Sequence, residues 1–378
     1  MTLAATLMIR DEADILPAWL TYHVAQGVDV FIITDNGSTD GSTTILEEFA
    51  ARTDVVVDLR HDPVHRKQQG ALVTGMARDA AAVHGADWVV NADADEFLMP
   101  VDRTTSLGEV FAALDPAIGA FTVPVVNMVG RLARSGTGIE RLHWRDKRSS
   151  EELHAIGLLA QPTSNAVHVG DPDVVVVQGN HQVSIANGGE VPDALRLEVL
   201  HLPWRSIAQY EHRVETTGLA YQANPALVPS PNHHGMRDYR RFKGGVLAGY
   251  FALRHVTDTE AGRGAFRHDD SLAAFFADHG LTPRTVPDEL VDAEEARRLQ
   301  QFGTALVERD AAVEMSREAL AAAAENTRLL EGTVRHLHDT IRGLEARLAE
   351  SEAGAAAFRN RRSVRAVTGL ADRLHGRG

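Results

Sequence analysis

The sequence predicts an α/β protein with a mostly parallel central sheet, followed by a long C-terminal helical segment. Three observations predict it. Short apolar runs alternate with helical patterns over the first hundred residues, and the polar clusters there each follow an apolar run. After Pro287 the composition shifts to Ala, Glu, Arg and Leu on a seven-residue register. Strands that alternate with helices need crossover connections, which make parallel sheets covered on both faces.

Ala4 to Ile9 is a short apolar run suited to a buried strand. Asp14 to Gln26 carries Ile15, Leu16, Trp19, Leu20 and Val24 at helical spacing, with Gly27 as a C-terminal stop. Val28 to Thr34 is a second apolar, β-branched run, and the loop Asp35 to Ser42 is rich in Asp, Asn, Gly and Ser. A helix is expected to begin near Thr44, where Thr44 and Glu47 have capping-box spacing. Val55 to Leu59 reads as a third strand, Gln69 to His84 as a long helix ended by Gly85, and Trp88 to Asn91 as a fourth strand.

From Val101 to Pro287 the pattern is less regular, with short strands expected at Val174 to Val177 and Leu197 to His201. Beyond it, Leu299, Leu306, Val313, Leu320, Thr327, Val334, Ile341 and Leu348 hold one heptad position. Phe302, Ala323, Leu330, Leu337 and Leu344 hold the matching seam, interrupted by Arg309 and Ser316. A seam this long predicts a coiled coil, and with it a homo-oligomer, against the alternative of one surface helix packed on the core. The expected divisions are therefore 1–100 and 101–287 as two halves of the α/β domain, 288–353 as a coiled-coil helix and 354–378 as a basic tail.

The 378 residues carry a formal net charge of -14, which argues against a general nucleic-acid binder because phosphates would be repelled. With no cysteine, disulfides and thiolate metal sites are excluded. The start has neither the basic, apolar and cleavage regions of a secretory signal nor a membrane-length apolar run, so a cytoplasmic protein is expected. The tail contains Arg359, Arg361, Arg362, Arg365, Arg373 and Arg377 against Asp372, with Val364, Val367, Leu370 and Leu374 as an apolar face. That pattern suits weak peripheral contact with the inner face of an anionic membrane; a solvated tail is the alternative.

The polar clusters share one location. Arg10 and Asp11 follow the first strand, Asp35 the second, His61 the third, and Asp93 and Asp95 the fourth. In a parallel sheet these positions lie along the carboxyl edge, where open α/β folds bind ligands. Two carboxylates one residue apart at a strand's end can face one pocket, because the side-chain period is two. Such a pair offers hard oxygen ligands for Mg²⁺ or Mn²⁺, which would bridge a nucleotide diphosphate. Asp-x-Asp is common in an acidic protein, however, and alone would be weak. The Gly- and Asp-rich loop 35–42 can present backbone N–H groups to a nucleotide, or simply make Asx turns. Asp35 is its expected base-reading group, since a carboxylate can accept the N3–H of uracil.

Met8-Ile9-Arg10-Asp11-Glu12-Ala13-Asp14, Asp35-Asn36-Gly37-Ser38-Thr39-Asp40, Asp87-Trp88 and Asp93-Ala94-Asp95-Glu96-Phe97 together resemble family 2 glycosyltransferases. The likeness is to the subgroup patterned Arg-Asn-Glu, Asn-Gly-Ser-x-Asp, Asp-x-Asp-Glu-Phe, and it covers roughly residues 4 to 215. Asp11 departs from the family's usual Asn. The resemblance implies a GT-A type fold, a UDP-, GDP- or dTDP-linked sugar donor, divalent metal, and usually inversion at the anomeric carbon. Carried over by position, it implies Asp35 at the nucleobase, Asp93 at the ribose or metal, Asp95 as principal metal ligand, and Asp11 or Glu12 in the nucleoside pocket. Arg66 and Lys67, ahead of a helix start, would approach the diphosphate or form a solvated helix entry.

Gly179-Asn180-His181-Gln182 and Leu200-His201-Leu202-Pro203-Trp204-Arg205-Ser206 look like later motifs of the same subgroup. A neutral imidazole can join a metal held by carboxylates, so His201, which closes an apolar strand, and His181 compete as the late ligand. Arg205 would meet phosphate or acceptor, or form a structural salt bridge. Inversion needs a base to deprotonate the acceptor hydroxyl, on a glycan or a lipid-linked molecule. Asp146, Glu151 and Glu152 are candidates, with Asp171 and Asp173 equally placed. The rival readings are a nucleotidyltransferase acting on a sugar phosphate, and a non-catalytic coiled-coil scaffold with a degenerate nucleotide-binding head.

Overall fold

A computed structural model of the protein describes residues 1–63, 69–158, 161–223, 234–257 and 261–376. Two compact units are present, Met1–Val307 and Glu308–Gly378. The first begins with the expected alternation: β1 (Leu3–Ile9), α1 (Leu16–Ala25), β2 (Val30–Asp35), α2 (Ser42–Arg52), β3 (Val56–His61), α3 (Gln69–Ala82) and β4 (Trp88–Ala92). There follow β5 (Glu96–Pro100), α4 (Leu107–Ala113), β6 (Ala120–Val123), β7 (Val125–Val129), β8 (Ala133–Ser135), β9 (Trp144–Asp146), α5 (Ser150–Ala155) and β10 (Asn165–Val169). The unit closes with β11 (Leu197–His201), α6 (Ile207–Ala223), α7 (His234–Lys243), α8 (Leu247–Ala252), β12 (Phe266–His268), α9 (Ser271–Asp278), β13 (Glu289–Leu290) and the first turns of α10 (Ala293–Arg359).

The main sheet has the order β3-β2-β1-β4-β10-β6. Strands β1 to β4 are parallel, and only β10 runs against its neighbours. This is the mixed α/β architecture with a mostly parallel central sheet that the strand–helix alternation predicts. A second sheet, β12-β9-β7-β11-β5, stands beside it, and β8 pairs with β13. Segments 1–100 and 101–287 are interleaved, since β4 pairs with β10 and β5 with β11. The apolar runs of β1, β2 and β4 are buried along their length, as strands covered on both faces require.

Helix α1 is anchored to the second sheet by two aromatic side chains that are fully buried. Trp19 Nε1 donates to the Glu96 carbonyl at 2.8 Å and Tyr22 Oη to the Leu98 carbonyl at 2.9 Å, so each ring buries its apolar body and still pairs its polar tip. The helix stops where expected, at Gly27, whose φ of 90° suits glycine.

Two expectations fail. Helix α2 starts at Ser42, with Gly41 left-handed at its N-cap, and Asp40 Oδ1 accepts the Ser42 N–H at 3.0 Å. Asp40 thus does from outside the helix what the Thr44 capping box was expected to do inside it. Val174 to Val177 is not a strand but one isolated bridge, Val176 to Val183; its buried valines pack on α3 instead.

Helix α10 is 67 residues long. Its first turns belong to the first unit, where Gly303 lies so close to Gly249 that a Cβ there would sit 2.2 Å from the Gly249 carbonyl oxygen. Within the second unit, α10 continues from Glu308 to Arg359 with its side chains largely exposed, and α11 (Arg362–His375) follows. No helix among the described residues is long and apolar enough to cross a membrane.

Candidate active site

Two loops at the carboxyl edge of the sheet form the base of the site. The segment after β1 and the segment after β2 are stitched together by short polar groups. Asp11 Oδ1 accepts the Thr39 N–H at 2.6 Å, Ser38 Oγ accepts the Asp11 N–H at 3.1 Å, and Asp40 Oδ2 accepts the Ala13 N–H at 2.8 Å. The pairing follows from register: Ile9 and Asp35 are neighbours across β1 and β2, so both chains leave the sheet together.

Asp35 serves this loop itself. One carboxylate oxygen accepts from Ser38 N–H and Ser38 Oγ, the other from Thr43 Oγ1, and the side chain is buried. The Asx-turn reading of the loop therefore describes how Asp35 is held here. Asp11, with a φ of 55°, turns instead toward a cleft of about 260 Å³. Burial opposes its charge, but the Thr39 N–H and His212 outweigh it and hold its carboxyl below the usual range. His212 Nε2 lies 3.0 Å from Asp11 Oδ2.

Arg10, Asp11, Glu12, Asn36 and Gln69 line one side of this cleft, and α6 supplies the other. His212, Arg213, Thr216, Thr217, Ala220 and Tyr221 recur at one, four, five, eight and nine residues from His212, which is one face of a helix. That polar stripe was legible in the sequence and was missed; its spacing is the signal that would have found it.

Asp93, Ala94 and Asp95 form the turn between β4 and β5, closed by the Glu96 N–H to the Asp93 carbonyl at 3.1 Å. The two carboxylates converge because the chain turns from the first sheet into the second, not because of strand periodicity. Asp95 is buried and faces three basic groups: Arg213 Nη1 at 2.8 Å, His201 Nε2 at 3.5 Å and Arg205 Nη1 at 3.6 Å. Burial alone would raise its pKa, and these three groups override that and hold it far below the carboxylate range. Asp93 is pushed up to about 6 by burial and by the charge of Asp95. Glu96, bonded by Asn165 Nδ2 at 2.6 Å, is raised well above its usual value by burial and by Asp93 and Asp95.

His201 reaches Asp95 because β11 lies between β5 and β7, opposite Glu96 on one side and Asn127 on the other. Its Nδ1 is 2.9 Å from Asn127 Oδ1, an acceptor, which turns Nε2 toward Asp95. His181 lies in the loop whose Asn180 Nδ2 is 3.5 Å from Asp93 Oδ1, but its own Nδ1 faces the Ser164 carbonyl at 3.2 Å.

Among the described residues, no three His, Asp or Glu side chains close around one point as a formed metal cage. The donors fit a divalent cation in kind and charge. Among the described residues the Asp93 side chain is bonded by the amides of Gln69 and Asn180, at 3.3 and 3.5 Å, and burial and the charge of Asp95 raise its pKa against the opposing pull of His201 and Arg213. A His Nε2 orients onto the same carboxylate pair.

Arg205 is fully buried and held by carboxylates: Asp14 by two hydrogen bonds of 2.7 and 3.0 Å, Glu12 by an ion pair, and Asp95 beyond them. This is the structural salt bridge, one of the two roles expected of it, and it ties the loop after β1 to the segment after β11. Despite Arg205, burial raises Glu12 to about 7. Asp14, which the sequence reading passed over, is the principal partner.

None of the expected bases lines the cleft. Asp146 is buried on β9 and paired with Arg148 through contacts of 2.6 to 3.1 Å. Glu152 caps α5 in a box with Ser149, and Glu151 is exposed on the same first turn. Asp171 and Asp173 follow β10, which ends beside Trp88 at the start of β4, on the opposite edge of the sheet from Asp93. Arg66 and Lys67 lie outside the described residues.

A family model, glycosyltransferase family 92, matches residues 5–128, the segment that contains Asp11, Asp35, Asp93 and Asp95. The chain is an enzyme of the glycosyltransferase class. No curated protein matches it. Solved structures resemble it distantly. Staphylococcus aureus TarS 1–349, in complex with UDP, is 12% identical, with 69% of this chain and 77% of that chain covered and a TM-score of 0.33. HddC from Yersinia pseudotuberculosis is 14% identical over 53% of this chain and 77% of that one, with a TM-score of 0.23. A UDP-glucose pyrophosphorylase complexed with UDP-glucose is 12% identical over 59% of this chain and 100% of that one, with a TM-score of 0.26.

Proposed function

We propose that the protein transfers a sugar from a nucleoside-diphosphate donor to an acceptor hydroxyl on a glycan or lipid-linked molecule, in a GT-A type site, with a divalent cation and with inversion. The observation that carries this reading is His201 Nε2 lying 3.5 Å from Asp95 Oδ2 beside Asp93, at the sheet edge that also bears the cleft. Asp95, Asp93 and His201 are the residues that would hold Mn²⁺ or Mg²⁺, with His181 the alternative imidazole. The ion would supply Lewis-acid neutralisation of charge on the diphosphate leaving group.

The chain's own residues do the rest. Asp11 and Glu12 stand in the cleft as acceptors for the N–H and O–H groups of a nucleoside, and the Thr216 and Thr217 hydroxyls face them from α6. Arg213 lines the cleft while touching Asp95, so a guanidinium stands where diphosphate oxygens would approach the carboxylate pair. Arg205 positions Glu12 and Asp14 without touching substrate. Inversion requires attack by the acceptor oxygen on the anomeric carbon from the face opposite the departing diphosphate.

The test is a panel of UDP-, GDP- and dTDP-sugars, followed by release of the nucleoside diphosphate with Mn²⁺ or with chelator. Turnover of one nucleotide class that chelation removes is expected. Undiminished turnover in chelator would overturn the cation, and neither turnover nor thermal stabilisation with any donor would overturn the transfer reading.

A further inference from the structure

Past Glu308, α10 presents an exposed apolar stripe that no described residue of its own unit covers. Leu330, Val334, Leu337, Ile341, Leu344 and Leu348 are each between 50% and 67% exposed. A lone helix in water gains little from propensity and depends on burying such a face. We propose that this stripe pairs with a second copy of the chain as a parallel, two-stranded coiled coil.

The side chains select the number of strands. Val334, Ile341 and Leu348 hold position a, two of the three β-branched, and the d positions are Leu330, Leu337 and Leu344. β-Branched residues at a with leucine at d favour two strands, whereas Ile at both, or Leu at a with Ile at d, shifts the preference to three or four. The helix's own ion pairs, Glu325–Arg328 and Asp339–Arg342, join positions f and b on the far face and leave the seam clear.

The flanking charges select the orientation. In a parallel pair each g residue faces the e residue five positions further along the second copy. Arg347 then meets Glu352, Thr340 meets Glu345, Thr333 meets His338 and Asn326 meets Glu331, so one of the four pairs is attractive and none repels. In an antiparallel pair the e rows face each other. A pairing centred on this block sets Glu331 opposite Glu345 or Glu352, two like charges beside the seam. The same code argues for a second copy rather than an unrelated helix, because the chain complements itself.

Light scattering on the full chain should give twice the 41.0 kDa mass of one chain. Ile341→Lys, which sets like charges inside the seam, should return it to one chain with the first unit still folded by near-UV circular dichroism. A native mass of one or three chains would overturn the proposal, as would an Ile341→Lys protein still at two. Orientation is read by trapping, since the chain has no cysteine of its own. Leu330→Cys and Leu348→Cys should each form a disulfide dimer alone under mild oxidation. Trapping only when the two variants are mixed would show antiparallel helices, and trapping in neither would also overturn it. None of these outcomes depends on the sugar-transfer reading.

Discussion

Arg213 of α6 and Asp95 of the β4–β5 turn meet at 2.8 Å, which joins the helical wall of the cleft to its carboxylate floor. Burial opposes the charge on Asp95, and His201, Arg213 and Arg205 together hold its carboxyl well below the usual range. Asp95→Asn keeps the shape and removes the charge. It should lower kcat/KM about 10²-fold or more, the scale of losing a preorganised electrostatic contact in a reaction centre. Initial rates at saturating metal check this, and a loss under threefold would sink the assignment.

His201→Gln should act on the cation rather than on the sugar. Loss of an imidazole that orients onto the metal carboxylates should raise the Mn²⁺ concentration for half-maximal rate by about 10- to 100-fold. The maximal rate should fall less. A metal titration of native and variant protein separates the two, and an unchanged half-maximal concentration would favour His181 as the imidazole instead.

Arg205 predicts a stability effect. It is fully buried among Glu12, Asp14 and Asp95, so Arg205→Leu leaves carboxylates without their counter-charge. Breaking one side of a buried ion pair costs about 3 to 5 kcal/mol, which urea unfolding would resolve. A cost below about 1 kcal/mol would mean that water replaces the guanidinium.

His23 predicts a pH dependence. It is buried in α1 against Trp19, with ring centroids 4.1 Å apart, and burial lowers its pKa from 6.5 to about 4. Below pH 6.5 the unfolded chain takes up this proton and the folded chain does not, so stability falls as pH drops from 6.5 toward 4. The full loss is about 3 kcal/mol for this group. His23→Leu should flatten the stability profile across that window; a native protein that loses no more unfolding free energy than His23→Leu between pH 7 and pH 5, by denaturant midpoint, would refute the account.

The basic helix α11 predicts lipid binding. Arg361, Arg362, Arg365 and Arg373 accompany exposed Val367 and Leu370, the composition of an amphipathic helix that lies on an anionic surface. Sedimentation with phosphatidylglycerol vesicles at low salt should bring the protein down, and with phosphatidylcholine alone should not. Replacing Arg361, Arg362 and Arg365 by Glu should abolish the difference.

Much of this was legible from local pattern. The four strands β1 to β4, the carboxyl-edge position of Asp11, Asp35, Asp93 and Asp95, the β11 strand ending at His201 and the heptad seam all follow from periodicity. A residue's side of a strand or helix depends only on its neighbours in sequence. What each charged side chain does depends on its neighbours in space, and there the readings diverged. Asp35 ends β2 and Asp93 follows β4, yet one is bonded within its own loop and the other stands beside Asp95, bonded by Gln69 and Asn180.

By itself, then, the sequence determined the strand–helix order, the sheet edge that bears the site and the long helix, because those are set by hydrophobic period and by turn residues. Only the tertiary structure decided that β10 runs backwards and carries Asp171 and Asp173 to the far edge, and that Arg148 closes off Asp146. It also decided that Arg205 lies buried between Glu12 and Asp14 while Arg213, which belongs to none of the motifs, reaches Asp95. The physical reason is that a charge taken out of water must find a partner within a few ångströms, and packing chooses that partner, whether it lies two residues away, as for Arg148 and Asp146, or nearly two hundred, as for Arg205 and Glu12.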